Sequence, residues 1–167
     1  MAPKSDAVEE GMREVEVGRV LREQGRTLAV AESCTGGLLG QRITAVPGAS
    51  AYFLGGIIAY HNEAKMRLLG VPREIIAGHG GVSAECTRAM AYGARERLSA
   101  DYALAISGIA GPGGGTPDKP VGLVYVALAA PTGIWVEEHR FQGSRDGNRW
   151  SACEAALELL LRQARGT

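Results

Sequence analysis

Four short stretches of this 167-residue chain hold the residue types that do chemistry. The first is Ala31-Glu32-Ser33-Cys34-Thr35-Gly36-Gly37. A serine hydroxyl becomes a useful nucleophile only when a neighbouring base takes its proton, and the two glycines keep side chains out of a ligand's path to the backbone. The second, Tyr60-His61-Asn62-Glu63-Ala64-Lys65, offers such a base in Lys65 if burial or a neighbouring cation leaves the amine neutral, with Tyr60 to relay or donate the proton. The third runs from Ser107 and Gly108 to Thr116 and is rich in glycine. It lacks the lysine of a P-loop and a helix behind it, so it matches neither that motif nor the dinucleotide fingerprint, but it can line a pocket with backbone donors. The fourth is Gly143-Ser144-Arg145 with Arg149 one turn on, guanidiniums suited to a bidentate hold on phosphate. The first two stretches have plainer alternatives: Ser33 and Thr35 as helix caps, Lys65 on a helix surface, Tyr60 half buried. A cysteine nucleophile, Cys34 with His61 or His79 as base, is a further one.

The elements that position these residues follow from hydrophobic spacing. Residues 7–24 carry Val8, Met12, Val15, Val17, Val20 and Leu21 among charges and stop at Gly25, as an amphipathic helix does. Thr27 to Ala31 reads as a strand, and Leu38 to Val46 as a helix. Ser33 then falls between a strand end and a helix start, where free N–H groups and the helix dipole favour an anion. Tyr52 to Tyr60 predicts a buried strand whose Gly55-Gly56 pair marks a bulge or close backbone approach. Asn62 to Leu69 is a short helix, Pro72 opens a turn, and Ser83 caps a helix over Ala84 to Leu98 that faces inward with Met90, Ala91, Ala94 and Leu98. Asp101 to Ser107 returns as a strand, and Gly108 to Pro120 is irregular. Val121 to Ala130 and Ile134 to Phe141 form an antiparallel hairpin through Pro131-Thr132-Gly133. A last helix, about Arg145 to Ala164, turns Trp150, Ala152, Ala156, Leu157 and Leu160 inward. Helices interleaved with strands predict the α/β class, a three-layer α/β/α sandwich with a mixed sheet, in one domain over 1–167 with residues 1–6 flexible.

Composition narrows the function classes. Lys+Arg and Asp+Glu number 18 each, so the chain lacks the basic excess of most nucleic-acid binders. At 46% hydrophobic and 22% charged residues it can bury a core. Its 24 glycines are about twice the usual share of roughly 7%. The start of the chain has no signal-peptide pattern, and Val121 to Ala130 is about half a membrane span. The expectation is a soluble, cytoplasmic protein with no membrane or nucleic-acid partner. Three cysteines, Cys34, Cys86 and Cys153, are odd in number and carry no CxxC pair, which leaves them as small core residues. His61, His79 and His139 form no local ligand pair.

Four blocks, AESCTGGLLGQRIT at 31–44, SAYFLGGIIAYHNEAKMRLLGV at 50–71, VSAE at 82–85 and AISGIAGPGGGTPDKPVGLVYVALA at 105–129, resemble the CinA C-terminal domain family and occur in its order. The resemblance spans about Val15 to Leu161. Characterised members include the nicotinamide mononucleotide deamidases, PncC. The resemblance implies an α/β/α domain, commonly a homodimer, that hydrolyses the carboxamide of this pyridine mononucleotide to nicotinic acid mononucleotide and ammonia, a step of NAD metabolism and pyridine nucleotide salvage. It implies no cofactor and no metal, and the stand-alone form rather than the longer CinA protein with its N-terminal domain. Carried over by motif, the catalytic serine falls on Ser33, its tyrosine and lysine on Tyr60 and Lys65, and the arginine of a Gly-Asp-Arg stretch on Arg145. Thr35, Gly36 and Gly37 fall in the first binding loop. On this reading backbone N–H groups near Cys34 to Gly36, or at Gly108, would meet the oxyanion, and Arg145, Thr35 and Ser107 would hold the phosphate and ribose. Here Ser144 stands where the family pattern has aspartate.

Overall fold

The computed structural model describes residues 12–166. The elements run α1 (Arg13–Gln24), β1 (Leu28–Glu32), α2 (Leu38–Thr44), β2 (Phe53–Ile58), α3 (Asn62–Leu69), α4 (Arg73–His79), α5 (Ala84–Leu98), β3 (Tyr102–Gly108), β4 (Leu123–Ala130), β5 (Gly133–Arg140) and α6 (Arg145–Arg165). The expected flexible start at 1–6 and the first residues of the helix predicted from residue 7 lie outside the described residues.

Alternation along the strands builds the core. Leu28 and Val30 of β1, Leu104 and Ile106 of β3, and Val124, Val126 and Leu128 of β4 pack on one face with α1, α2 and α6. Apart from Tyr125, the residues that alternate with them are alanines: Ala29, Ala31, Ala103, Ala105, Ala127 and Ala129 face α5 through Cys86, Met90, Ala91 and Ala94. Small side chains on that face let α5 lie close to the sheet. Gly93 continues the theme, since a Cβ there would stand 1.9 Å from the Leu69 carbonyl oxygen of α3.

The sheet order is β2-β1-β3-β4-β5. β1 is parallel to β2 and β3, and β4 is antiparallel to β3 and β5. This is the mixed three-layer sandwich that the interleaved elements predict. The chain leaves β1 toward β2 on one side and β3 toward β4 on the other, so the sheet has its switch point between the carboxyl ends of β1 and β3, where open α/β sheets form ligand crevices.

Three expectations need correction. The Tyr52–Tyr60 strand is shorter and lies at the sheet edge, where Leu54 and Ile58 are exposed. Its glycine pair does mark close approach: a Cβ on Gly56 would meet Val30 Cγ2 at 2.6 Å, and the β1–β2 register shifts beside it. Pro72 opens a helix rather than a turn alone, serving as the N-cap of α4. Trp150 faces outward, 45% exposed, and its ring stacks under the Arg42 guanidinium at 4.0 Å.

Candidate functional site

A cleft of about 370 Å³ opens at the switch point. Ser33 and Cys34 enter it from the end of β1, Tyr60 from the end of β2, and Lys65 with Asn62 from α3. Gly81 and Val82, the Gly108–Gly114 segment and Arg145 complete its walls. Residues far apart in sequence thus share one cavity, and Ser33, Tyr60, Lys65, Gly108 and Arg145 are among those the sequence singles out.

Lys65 is the unusual member. It is 3% exposed, and burial lowers its ammonium pKa below the ordinary value, partly opposed by the nearby Cys86 and Cys34 thiols. Nζ donates to Gly81 O at 3.2 Å and to Ser107 Oγ at 3.5 Å. Ser107 gives its own hydrogen to Gly81 O at 2.6 Å, so its oxygen can only accept from the lysine. A neutral amine has two hydrogens, both engaged here, and its lone pair is left to take a proton. Ser107 therefore orients the lysine from beneath rather than lining the cleft, although β3 delivers it to the same place.

Ser33 is 5% exposed, and its hydroxyl donates to Tyr60 O at 3.4 Å. Tyr60 is 62% exposed at the rim, and its hydroxyl accepts from Arg145 Nη2 at 3.4 Å. Among the described residues no hydrogen bond joins Lys65 Nζ to the Tyr60 hydroxyl or to the Ser33 hydroxyl. Arg145 also donates to Gly111 O at 2.7 Å and otherwise stays exposed over the cleft.

The N-terminus of α2 is not the free anion site that the sequence suggests. Glu32, 2% exposed, already fills it: its carboxylate accepts from Thr35 Oγ1 at 2.7 Å, Leu39 N at 2.8 Å and Gly40 N at 3.0 Å. The internal carboxylate satisfies the helix donors and complements the dipole. Thr35 is fully buried in that cap, Gly36 lies against Arg149 and Gly37 against Ile58, so none of the three lines the cleft. Gly36 N is spent on Ser33 O, whereas Cys34 N–H reaches no other described residue and has only its own thiol beside it. A free N–H on the residue after a serine nucleophile is the position of an oxyanion donor.

The two arginines divide their work. Arg145 faces the cleft, while Arg149 Nε donates to Cys34 O at 3.1 Å and Nη2 to Thr35 O at 2.9 Å, under the Ser33 turn. Ser144, in the place of the pattern's aspartate, caps α6 by accepting from Gly147 N at 3.1 Å. Serine and aspartate are equally good N-caps, so the exchange keeps the entry of α6 that holds Arg145.

The cysteine alternative loses its support. Burial pushes the Cys34 thiol up to about 11, away from the thiolate. His61 caps α3 by accepting from Glu63 N, His79 faces Glu85 at 3.6 Å, and neither lines the cleft. All three cysteines are free and buried. Among the described residues no group of three His, Cys, Asp or Glu side chains gathers as metal ligands, and no helix is long and apolar enough to cross a membrane.

Two cleft residues carry no sequence signal of their own. The Asn62 side chain makes no hydrogen bond among the described residues, and its Oδ1 lies 2.0 Å from where a Cβ on Gly81 would stand. Gly81 is thus required for the approach of both Asn62 and Lys65, whose Nζ is 3.0 Å from the same point. One glycine before Ser83 looks like any other in this sequence; only the folding of its loop onto α3 distinguishes it.

The fold and the cleft define a class: a three-layer α/β/α domain with a serine and a buried lysine at the switch point of its sheet. Residues 11–164 match the model of the CinA C-terminal domain, and the chain belongs to that family. The CinA-like protein of Citrifermentans bemidjiense is 59% identical over 143 residues, covering 86% of this chain and 34% of that protein. The CinA-like protein of Geobacter sulfurreducens is 56% identical over 147 residues, covering 88% and 36%. The chain therefore spans about a third of the length of these curated relatives. Among solved structures, the competence/damage inducible protein CihA of Agrobacterium tumefaciens superposes with a TM-score of 0.89 at 37% identity, covering 96% of this chain and 98% of that one. A CinA superfamily protein of Escherichia coli gives a TM-score of 0.89 at 28% identity, covering 97% and 94%.

Proposed function

We propose that this domain is an amidohydrolase that converts nicotinamide mononucleotide to nicotinic acid mononucleotide and ammonia, without a metal or cofactor. The observation that carries it is Lys65: a buried amine, both of whose neutral-state hydrogens are engaged, opening on the same cleft as Ser33. CinA family membership, with its amidohydrolase members, supports the substrate.

Ser33 Oγ attacks the carboxamide carbon as its proton passes to the Lys65 lone pair. Negative charge develops on the former carbonyl oxygen, beside the free Cys34 N–H. Collapse breaks the C–N bond, and Lys65 returns the proton to the leaving nitrogen as ammonia departs. Water then attacks the acyl-serine ester, giving a proton to Lys65; the ester C–O bond breaks, Ser33 Oγ is reprotonated and the carboxylic acid leaves. Arg145 and the Gly108–Gly114 segment hold the phosphate and ribose at the mouth. Tyr60, oriented by Arg145, offers its exposed ring to the pyridine, and the unpaired Asn62 amide suits the substrate carboxamide.

The test is ammonia release from nicotinamide mononucleotide by wild type, Ser33→Ala and Lys65→Ala without added metal. Turnover by wild type and its loss in both variants is expected. A wild type that binds the nucleotide without releasing ammonia makes the domain a binding module instead.

A further inference from the structure

Arginine 149 has a plain assignment as a second phosphate ligand, yet its guanidinium points the wrong way for it. Nε and Nη2 bond the carbonyl oxygens of Cys34 and Thr35, the two residues after Ser33. Nη1 lies 3.6 Å from Asp146, and the residue is absent from the cleft wall. The Ser33–Gly36 segment is a single tight turn closed by Gly36 N donating to Ser33 O at 3.1 Å. A planar fork on Cys34 O and Thr35 O fixes the two peptide planes that carry the Thr35 and Gly36 N–H groups, and Gly36 N–H in turn holds Ser33 O, whose peptide carries the Cys34 N–H.

We propose, resting on the deamidase reading, that Arg149 is a positioning residue: it holds the Ser33 turn by two carbonyls so that the Cys34 N–H meets the oxyanion. Glu32 fixes the same segment from the helix side through Thr35, Leu39 and Gly40, so the turn is braced at both ends by buried or half-buried charges. Arg149 touches no substrate atom, and its effect belongs in kcat. Arg145, over the cleft, belongs in KM.

The experiment compares wild type, Arg149→Lys, Arg149→Met and Arg145→Lys by steady-state ammonia release from nicotinamide mononucleotide. Acylation of Ser33 by p-nitrophenyl acetate, followed by mass spectrometry, is measured in parallel. Arg149→Met is expected to lower kcat about 100-fold, the scale of one lost oxyanion donor, and to slow Ser33 acylation in step, with KM changed less than about threefold. Arg149→Lys recovers only part, because one ammonium cannot span two carbonyls in a plane. It carries the comparison should the methionine variant melt early. Arg145→Lys is expected to raise KM. An Arg149 variant with wild-type kcat, or with raised KM and unchanged kcat, overturns the positioning role while leaving the deamidase reading intact. A wild type that releases no ammonia but acylates leaves the positioning role to be decided by the acylation rates alone. One that does neither overturns both.

Discussion

Ser107 Oγ stands 3.5 Å from Lys65 Nζ and accepts from it, because the serine's own hydrogen is committed to Gly81 O at 2.6 Å. The serine therefore helps orient the lysine and favours its charged form slightly, against a burial that favours the neutral one. Ser107→Ala removes that acceptor. The acid limb of the kcat/KM profile, set by Lys65 deprotonation, is expected to move to lower pH, while the maximal rate falls about tenfold through lost orientation. A pH–rate profile of the two proteins checks both effects; an unmoved limb would place the titrating group elsewhere.

Lys65 links stability to pH with a definite sign. Its folded-state pKa lies below the ordinary value of 10.5. Between the two values the unfolded chain holds a proton that the folded one lacks, so stability rises with pH across that window. Below the folded pKa the full cost of the buried ammonium remains. Lys65→Met is therefore expected to melt higher than wild type, most of all at low pH, with the gap closing toward pH 10.5, while turnover is abolished. Melting temperatures measured across this range check it.

Gly81→Ala sets a methyl 2.0 Å from Asn62 Oδ1 and 3.0 Å from Lys65 Nζ. Both side chains must shift, and a displacement of about 1 Å at a reacting group can cost roughly 100-fold. A fall in kcat of at least about tenfold, with a cooperative unfolding transition kept, is the expected result. Unchanged kinetics would show that the Lys65 position is not critical.

How far the sequence reveals this site depends on how local each cause is. The strand, turn and helix around Ser33 are legible because an apolar run, a glycine pair and a second periodic run follow one another within 20 residues. α4 is hidden because it fully buries no residue and so carries no apolar stripe to read. Trp150 deceives because an aromatic side chain on an amphipathic helix is usually core, whereas its partner is the Arg42 guanidinium on a different helix. The anion site at α2 looks open in sequence because nothing marks Glu32 as turning back to cap the helix that follows it. Gly81 and Arg149 act through contacts 16 and more than 110 residues away along the chain, which no spacing within a motif can show.

Glu32→Gln replaces an acceptor of three hydrogen bonds with a group that presents a donor to one of them. A buried amide or hydroxyl left unpaired costs about 1–3 kcal/mol. Urea unfolding is expected to show a loss of that order, and a neutral outcome would mean that the α2 N-terminus finds another partner.

Cys34 is expected to resist iodoacetamide at neutral pH in the native protein, given a thiol near 11 and 7% exposure. Mass spectrometry of the native and urea-unfolded chain checks this. Rapid native labelling at Cys34 would return the cysteine nucleophile to consideration.

The central claim is that Ser33 is acylated by an amide while Lys65 carries the proton. It is tested most directly by ammonia release from nicotinamide mononucleotide as a function of pH, in wild type, Ser33→Ala and Lys65→Ala, without added metal. The account predicts turnover in wild type alone, with an acid limb set by a single group whose pKa lies below that of an ordinary lysine. Full turnover by either variant would contradict it.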